Sequence, residues 1–239
     1  VCLLLALASS ALAGAGPNFT PGVEGQQGFG APVVSPDGRF LALTAWKEVQ
    51  PTVGQFKVPF DREFLTSGLS LQLIERSIAS DEFSLQRDVG AQVGGQLAGD
   101  RIEYRVGVFN GSGANRANAN TDFMYIGRVV YSPFGPLPYS QGALSEPIDP
   151  RLSLGLSVAY LPGLQPGERQ TLAGRLGDTT VLPVKSDVVQ LTTDLALQYR
   201  GFSLEGAYHF RNIDPRATTK FGSTDAYGFS VQAGYFLIP

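Results

Sequence analysis

The stretch Val53–Arg87, VGQFKVPFDREFLTSGLSLQLIERSIASDEFSLQR, decides how the chain is read. It opens as a strand, with Phe56, Val58 and Phe60 alternating against Gln55, Lys57 and Pro59. Alternation of this kind gives one apolar face and one wet face. The pattern then stops. Asp61 to Phe83 is a long connection carrying Arg62, Glu63, Glu75, Arg76, Asp81 and Glu82 beside Leu69, Leu71, Leu73 and Ile74. Connections this long are functional or disordered, and the apolar content of this one argues against disorder. Alternation resumes at Asp88.

Downstream, the same period of two recurs. Val89, Ala91 and Val93 oppose Gly90, Gln92 and Gly94. Ile102, Tyr104, Val106 and Val108 oppose Glu103, Arg105 and Gly107, after a turn signal at Ala98-Gly99-Asp100. Strands are also predicted over Phe123–Tyr131, Arg151–Tyr160, Val189–Tyr199, Phe202–Phe210 and Tyr227–Leu237, with a weaker one over Arg39–Gln50 around Trp46. Asn110–Asn120, Pro133–Pro150, Pro162–Lys185 and Asn212–Thr224 read as loops. The strands have the length that crosses a tilted bilayer. Tyr131, Tyr160, Tyr199, Phe210, Tyr227 and Tyr235 fall near their ends, where interfacial girdles sit. The wet faces are mostly Ser, Gly, Ala, Gln and Thr rather than the Lys and Glu of a soluble sandwich. The predicted fold is therefore all-β, a transmembrane antiparallel β-barrel.

The chain has 239 residues and 16% charged residues, below the ~25% usual in soluble domains. Its net charge of −3 gives no basic signature for nucleic acid or for bulk attraction of anions. One cysteine, Cys2, and one histidine exclude an internal disulfide and give no metal cluster. VCLLLALASSALAGAG is an apolar run ending in small residues, with Ala11-Leu12-Ala13 as a cleavage site. Residues 1–13 are expected to be a partial signal peptide for export, lacking its positive n-region. Residues 14–38 are expected to be a loop or unstructured leader, and residues 39–239 the barrel region with an inserted loop at 61–83.

GQFKVPFDREFLTSGLSLQLIERSIA, RDVGAQVGGQL and YRVGVFNGSG, in that order, resemble the phosphate-selective porin O/P family of bacterial outer-membrane proteins, and YGFSVQAGYFLIP resembles it again near the C-terminus. Glu146 to Tyr199 matches in strand rhythm only. The resemblance implies a sixteen-stranded barrel that assembles as a homotrimer in outer-membrane lipid. It implies a loop folded into the pore and basic residues that carry anions such as phosphate. It implies a channel rather than an enzyme, with no cofactor. About nine strands are too few for that barrel, so the chain is expected to be a fragment.

Rings of arginine or lysine select anions in pores, and the guanidinium fork suits phosphate. By alternation the lumen-facing cations are Lys57, Arg105 and Arg128, and the inserted loop adds Arg62 and Arg76, with Arg87 at its exit. These six are the pore-lining and anion-binding candidates. Each has a structural alternative: Arg62 with Glu63, Glu75 with Arg76, and Glu103 with Arg105 would serve as ion pairs. A dense lysine cluster is not visible, which leaves a general, weakly selective porin open. Glu205 and His209, four residues apart on one wet face, give slight support to a barrel lipid hydrolase. A non-functional truncated product is the remaining alternative.

Overall fold

A computed structural model describes residues 33–34, 41–42, 49–116, 118, 121–143, 149–165, 184–217 and 222–236. The expected signal peptide, nearly all of the leader and most of the strand expected around Trp46 lie outside the described residues. Two short strands, β1 (Val33–Val34) and β2 (Leu41–Ala42), pair only with each other. The remaining eight are β3 (Val49–Lys57), β4 (Arg87–Leu97), β5 (Ile102–Phe109), β6 (Met124–Tyr131), β7 (Arg151–Leu164), β8 (Ser186–Tyr199), β9 (Phe202–Pro215) and β10 (Thr224–Tyr235). They form one antiparallel meander in chain order, with β3 and β10 at its edges among the described residues. No helix among the described residues is long and apolar enough to cross a membrane.

The hairpins follow from local chemistry. Tyr199 pairs with Phe202 across a two-residue turn, Arg200-Gly201, both with positive φ. That is the turn whose twist matches paired strands. Leu97 pairs with Ile102 around Ala98–Arg101, where Ala98, Gly99 and Asp100 also take positive φ. Between β7 and β8 the register shifts from Leu161 to Leu164, a bulge at Pro162-Gly163.

Burial is inverted relative to a soluble protein. On β8, Gln190, Thr192, Asp194 and Gln198 are buried while Val189 and Tyr199 are exposed. On β7, Ser153 and Ser157 are buried, and Leu154, Leu156 and Val158 stand 41%, 48% and 43% exposed. The ladders align these residues strand to strand, so one face of the sheet is an apolar belt and the other a polar lining. Phe202 and Phe210, at the two ends of the belt on β9, are eight residues apart. That is about 27 Å along the strand, or about 20 Å of height after a tilt of ~35–45°, close to the thickness of an outer-membrane apolar band.

β3 departs from expectation. It ends at Lys57, and the chain turns inward there, so Val58 and Phe60 are not the outer face of a strand. They join the apolar cluster inside the sheet with Leu85, Phe109, Met124 and Ile126, and Phe56 packs on Phe109 with ring centroids 5.2 Å apart. The apolar face of this stretch is therefore the inner one. Lys57 pairs with Arg87 two steps beyond Gln55–Val89, which gives it the parity of the exposed Val53 rather than of the inner Thr52 and Gln92.

The inversion makes a direct test. Leu156→Arg, on the belt in the middle part of β7, is expected to lower stability by about 2–4 kcal/mol. Ser230→Arg, on the inner face of β10, should cost far less. Urea unfolding in lipid vesicles measures both, and equal losses would contradict the assignment of faces.

Candidate functional site

The inserted connection is built on its own caps. Helix α1 (Arg62–Leu65) starts at Asp61, whose carboxylate accepts from the backbone N–H of Glu63 at 3.3 Å and Phe64 at 3.2 Å. The same carboxylate accepts from the Ser80 hydroxyl, tying α1 to helix α2 (Ile78–Phe83). Burial pushes the Asp61 carboxyl above its usual range, and the bonds from Ser80 and Phe64 oppose that rise. Ser77 caps α2 and donates its own backbone N–H to Glu63 Oε1 at 2.7 Å. The free carbonyls at the end of α1 meet cations. Lys57 Nζ donates to the carbonyls of Phe64, Leu65 and Thr66 at 2.7, 3.1 and 3.0 Å. Arg76 donates to those of Glu63 and Thr66 at 3.3 and 3.1 Å. The helix end needs such donors, because its last carbonyls have no partner within the helix.

This folded connection lies on the inner wall. Arg128, 1% exposed on β6, grips Asp194 of β8 with two bonds, 2.6 and 3.1 Å, and also donates to the Phe60 carbonyl at 3.2 Å. Asp194 folds over Gly155 of β7, where a Cβ would lie 2.3 Å from its carboxylate. Arg62 pairs with Glu205 of β9 at 3.2 Å. Arg211 of β9 pairs with Glu82 at 2.7 Å and lies 4.6 Å over the Phe83 ring. Phe83 stacks on His209 at 5.4 Å and rests against Gly228 of β10, the place where a Cβ would clash with its ring at 2.6 Å. A connection that leaves β3 and touches β6, β8, β9 and β10 requires the sheet to curve around it.

A second insertion enters from the opposite end of the sheet, a feature the loop reading of Pro133–Pro150 missed. Leu137, Gln141 and Ala143 are buried. The Gln141 backbone donates to the Ser70 carbonyl at 3.0 Å, and its side chain accepts from the backbone N–H of Gln72 at 3.0 Å. Gln198 of β8 holds the insertion from behind, through the carbonyls of Ser140 and Gly142 at 3.1 and 3.3 Å. Pro138 accepts from Arg62 at 2.7 Å, and Tyr139 lies 5.0 Å beneath the same guanidinium. The only prior signal was a long proline-rich connection where a short turn was due.

An antiparallel meander with an apolar outer belt, filled by a capped loop after its first long strand, has the form of a porin wall with its constriction. The profile of the family described as phosphate-selective porin O and P matches residues 37–239. The chain belongs to that family. Its members are bacterial outer-membrane porins, channels rather than enzymes. No curated protein matches the chain.

In this porin the six candidate cations divide. Arg62, Arg105 and Arg128 each hold a carboxylate: Glu205, Glu103 at 2.8 Å, and Asp194. Arg62 thus meets Glu205, across the wall, and not its neighbour Glu63, which is taken by Ser77. Lys57, Arg76 and Arg87 have no carboxylate within salt-bridge distance among the described residues. Arg76 is half-buried, with Glu63, Glu75, Gln141 and Glu205, beside a cavity of about 180 Å³ between the loop and β9–β10. Arg87 is exposed at the loop's exit and is the ladder partner of Lys57. Glu205 and His209 do not form an acid–base pair. Glu205 is taken by Arg62, and His209, 0% exposed, bonds Thr192 at 2.8 Å beneath Phe83.

Two outcomes are expected. Arg128→Ala leaves Asp194 as a buried charge without its partner and should destabilise the porin by about 3–5 kcal/mol. Arg128→Met combined with Asp194→Leu should recover most of that loss in the same urea titration. Gly228→Val should push Phe83 off β10 and loosen the constriction, read as a larger single-channel conductance. An unchanged conductance would mean that the loop does not depend on this seat.

Proposed function

We propose that this porin lets small hydrophilic solutes diffuse across the outer membrane with a preference for anions, phosphate among them. The observation that carries the reading is the convergence of Lys57 and Arg76 on the Thr66 carbonyl, with Arg87 beside Lys57 and no carboxylate paired to any of the three among the described residues. Carbonyls supply only partial negative charge, so the Lys57 and Arg76 cations are not cancelled by a paired carboxylate, although Glu63 and Glu75 share the cavity beside Arg76. Cations grouped at a narrow point raise the local concentration of anions. The Arg76 fork also has N–H groups suited to a phosphate oxygen. The expected signal peptide at residues 1–13 supports export.

A second reading is a general porin. It is favoured by the neutralisation of Arg62, Arg105 and Arg128 and by the overall charge of −3. Reversal potentials across a planar bilayer under a salt gradient separate the two. Anion preference in the reconstituted porin, reduced severalfold by Arg76→Ala and by Lys57→Ala, is the outcome expected, with phosphate lowering the chloride current. A potential near zero that neither substitution moves would leave the general porin standing.

A further inference from the structure

The inner faces of β3, β4 and β5 enclose a recess of about 190 Å³ that the constriction does not use. Gln50, Thr52, Gln92, Gln96, Glu103 and Arg105 line it. The ladders put them on one face: Thr52 pairs with Gln92, Gln50 with Gly94, Gly94 with Arg105, and Gln96 with Glu103. Gly94 has no side chain, and the Arg105 stem passes over it, 3.2 Å from where a Cβ would lie.

The lining is polar and electrically balanced. Three carboxamides and a hydroxyl each offer both donors and acceptors. The two charges cancel, since Arg105 binds Glu103 at 2.8 Å. That pair is fixed from the second insertion, where the Tyr139 hydroxyl donates to Glu103 at 3.0 Å and the Tyr139 ring lies 5.8 Å from the Arg105 guanidinium. Gln92 Oε1 is buried within the protein and accepts no hydrogen bond. The Gln92 amide therefore keeps hydrogen-bonding capacity that the chain leaves unused.

We propose that this recess binds a neutral, hydroxyl-rich solute the size of one sugar ring or a short linear polyol. A free anion would meet the Glu103 carboxylate, and a free cation the Arg105 guanidinium. A molecule with many hydroxyls and no charge can exchange bonds with the Gln50, Gln92 and Gln96 amides, the Gln92 amide turning to meet it, at no electrostatic cost. The recess lies on the wall away from the Lys57–Arg76 corner, so polyols and anions use different surfaces of the same pore. The proposal goes beyond the anion preference and does not need it.

Saturation-transfer difference NMR on the full chain in detergent micelles, with sorbitol and methyl glucoside as probes, tests it without requiring an open pore. Transfer to the probe C–H protons is expected, falling at least fivefold in the Gln50→Ala/Gln92→Ala double variant. Gln96 is exposed, so Gln96→Ala leaves folding alone and should by itself weaken the signal; it decides the matter if the double variant loses its dispersed amide spectrum. No transfer to the folded wild type, or equal transfer to wild type and variants, overturns the proposal. Reversal potentials of the same variants keep the two readings apart. Gln50, Gln92 and Gln96 carry no charge, so anion preference should survive their removal, while its absence in the wild type would sink the anion reading and leave polyol binding intact.

Discussion

Hydrocarbon offers a strand no hydrogen-bond partner except another strand. Every other property of this wall follows from that restriction. β4 to β9 are each paired on both sides in unbroken antiparallel register, apart from the bulge at Leu161–Leu164. With backbone groups satisfied edge to edge, side chains are free to sort by face. Leucine, valine and tyrosine go out to lipid, and glutamine, serine, aspartate, histidine and arginine go in. What counts as core in a soluble protein is here the polar side.

A polar interior sets a second problem, since a buried charge is costly unless it is paired and hydrogen-bonded. The inner wall solves it with arginine forks. Arg128 joins β6 to β8 and reaches the Phe60 carbonyl, Arg62 joins the loop to β9, and Arg211 joins β9 back to the loop. Small residues make room for these contacts: Asp194 lies over Gly155, and Phe83 over Gly228. The same residue type thus has two uses. Arginines that hold a carboxylate seat the loop, whereas Arg76 and its neighbour Lys57 cap the end of α1 through carbonyls alone.

The eight long strands were legible because period-two alternation survives wherever one face meets lipid and the other does not. Arg151–Tyr160 and Val189–Tyr199 were visible for this reason, although both strands run further, to Leu164 and from Ser186. The alternation around Phe56 was legible but its direction was not. An apolar face of a barrel strand is expected outside, and nothing local reveals that Val58 and Phe60 turn in to seat a loop. The inserted loop itself showed as a long apolar connection, and the insertion at Leu137–Ala143 did not. Its burial depends on Gln198 and Ser70, residues far away in sequence. Which cations are neutralised was hidden for the same reason. The partners of Arg62 and Arg128 lie 143 and 66 residues away, and only the Arg105–Glu103 pair was close enough to anticipate.

Gln72, Gln141 and Gln232 meet where the two insertions touch, with Gln232 Nε2 2.9 Å from Gln72 Oε1 and the Gln72 backbone bonded to Gln141. This junction of amides joins flaps that come from opposite mouths of the wall, next to the Arg62 guanidinium that reaches Pro138 and Tyr139. Dissolved salt screens charges but leaves amide-to-amide bonds nearly untouched, and amides do not titrate. The amide fastening is thus indifferent to brine and acidity, unlike the Arg62–Glu205 ion pair beside it. The two flaps are therefore held by two kinds of fastening, one that a change of medium can loosen and one that it leaves in place.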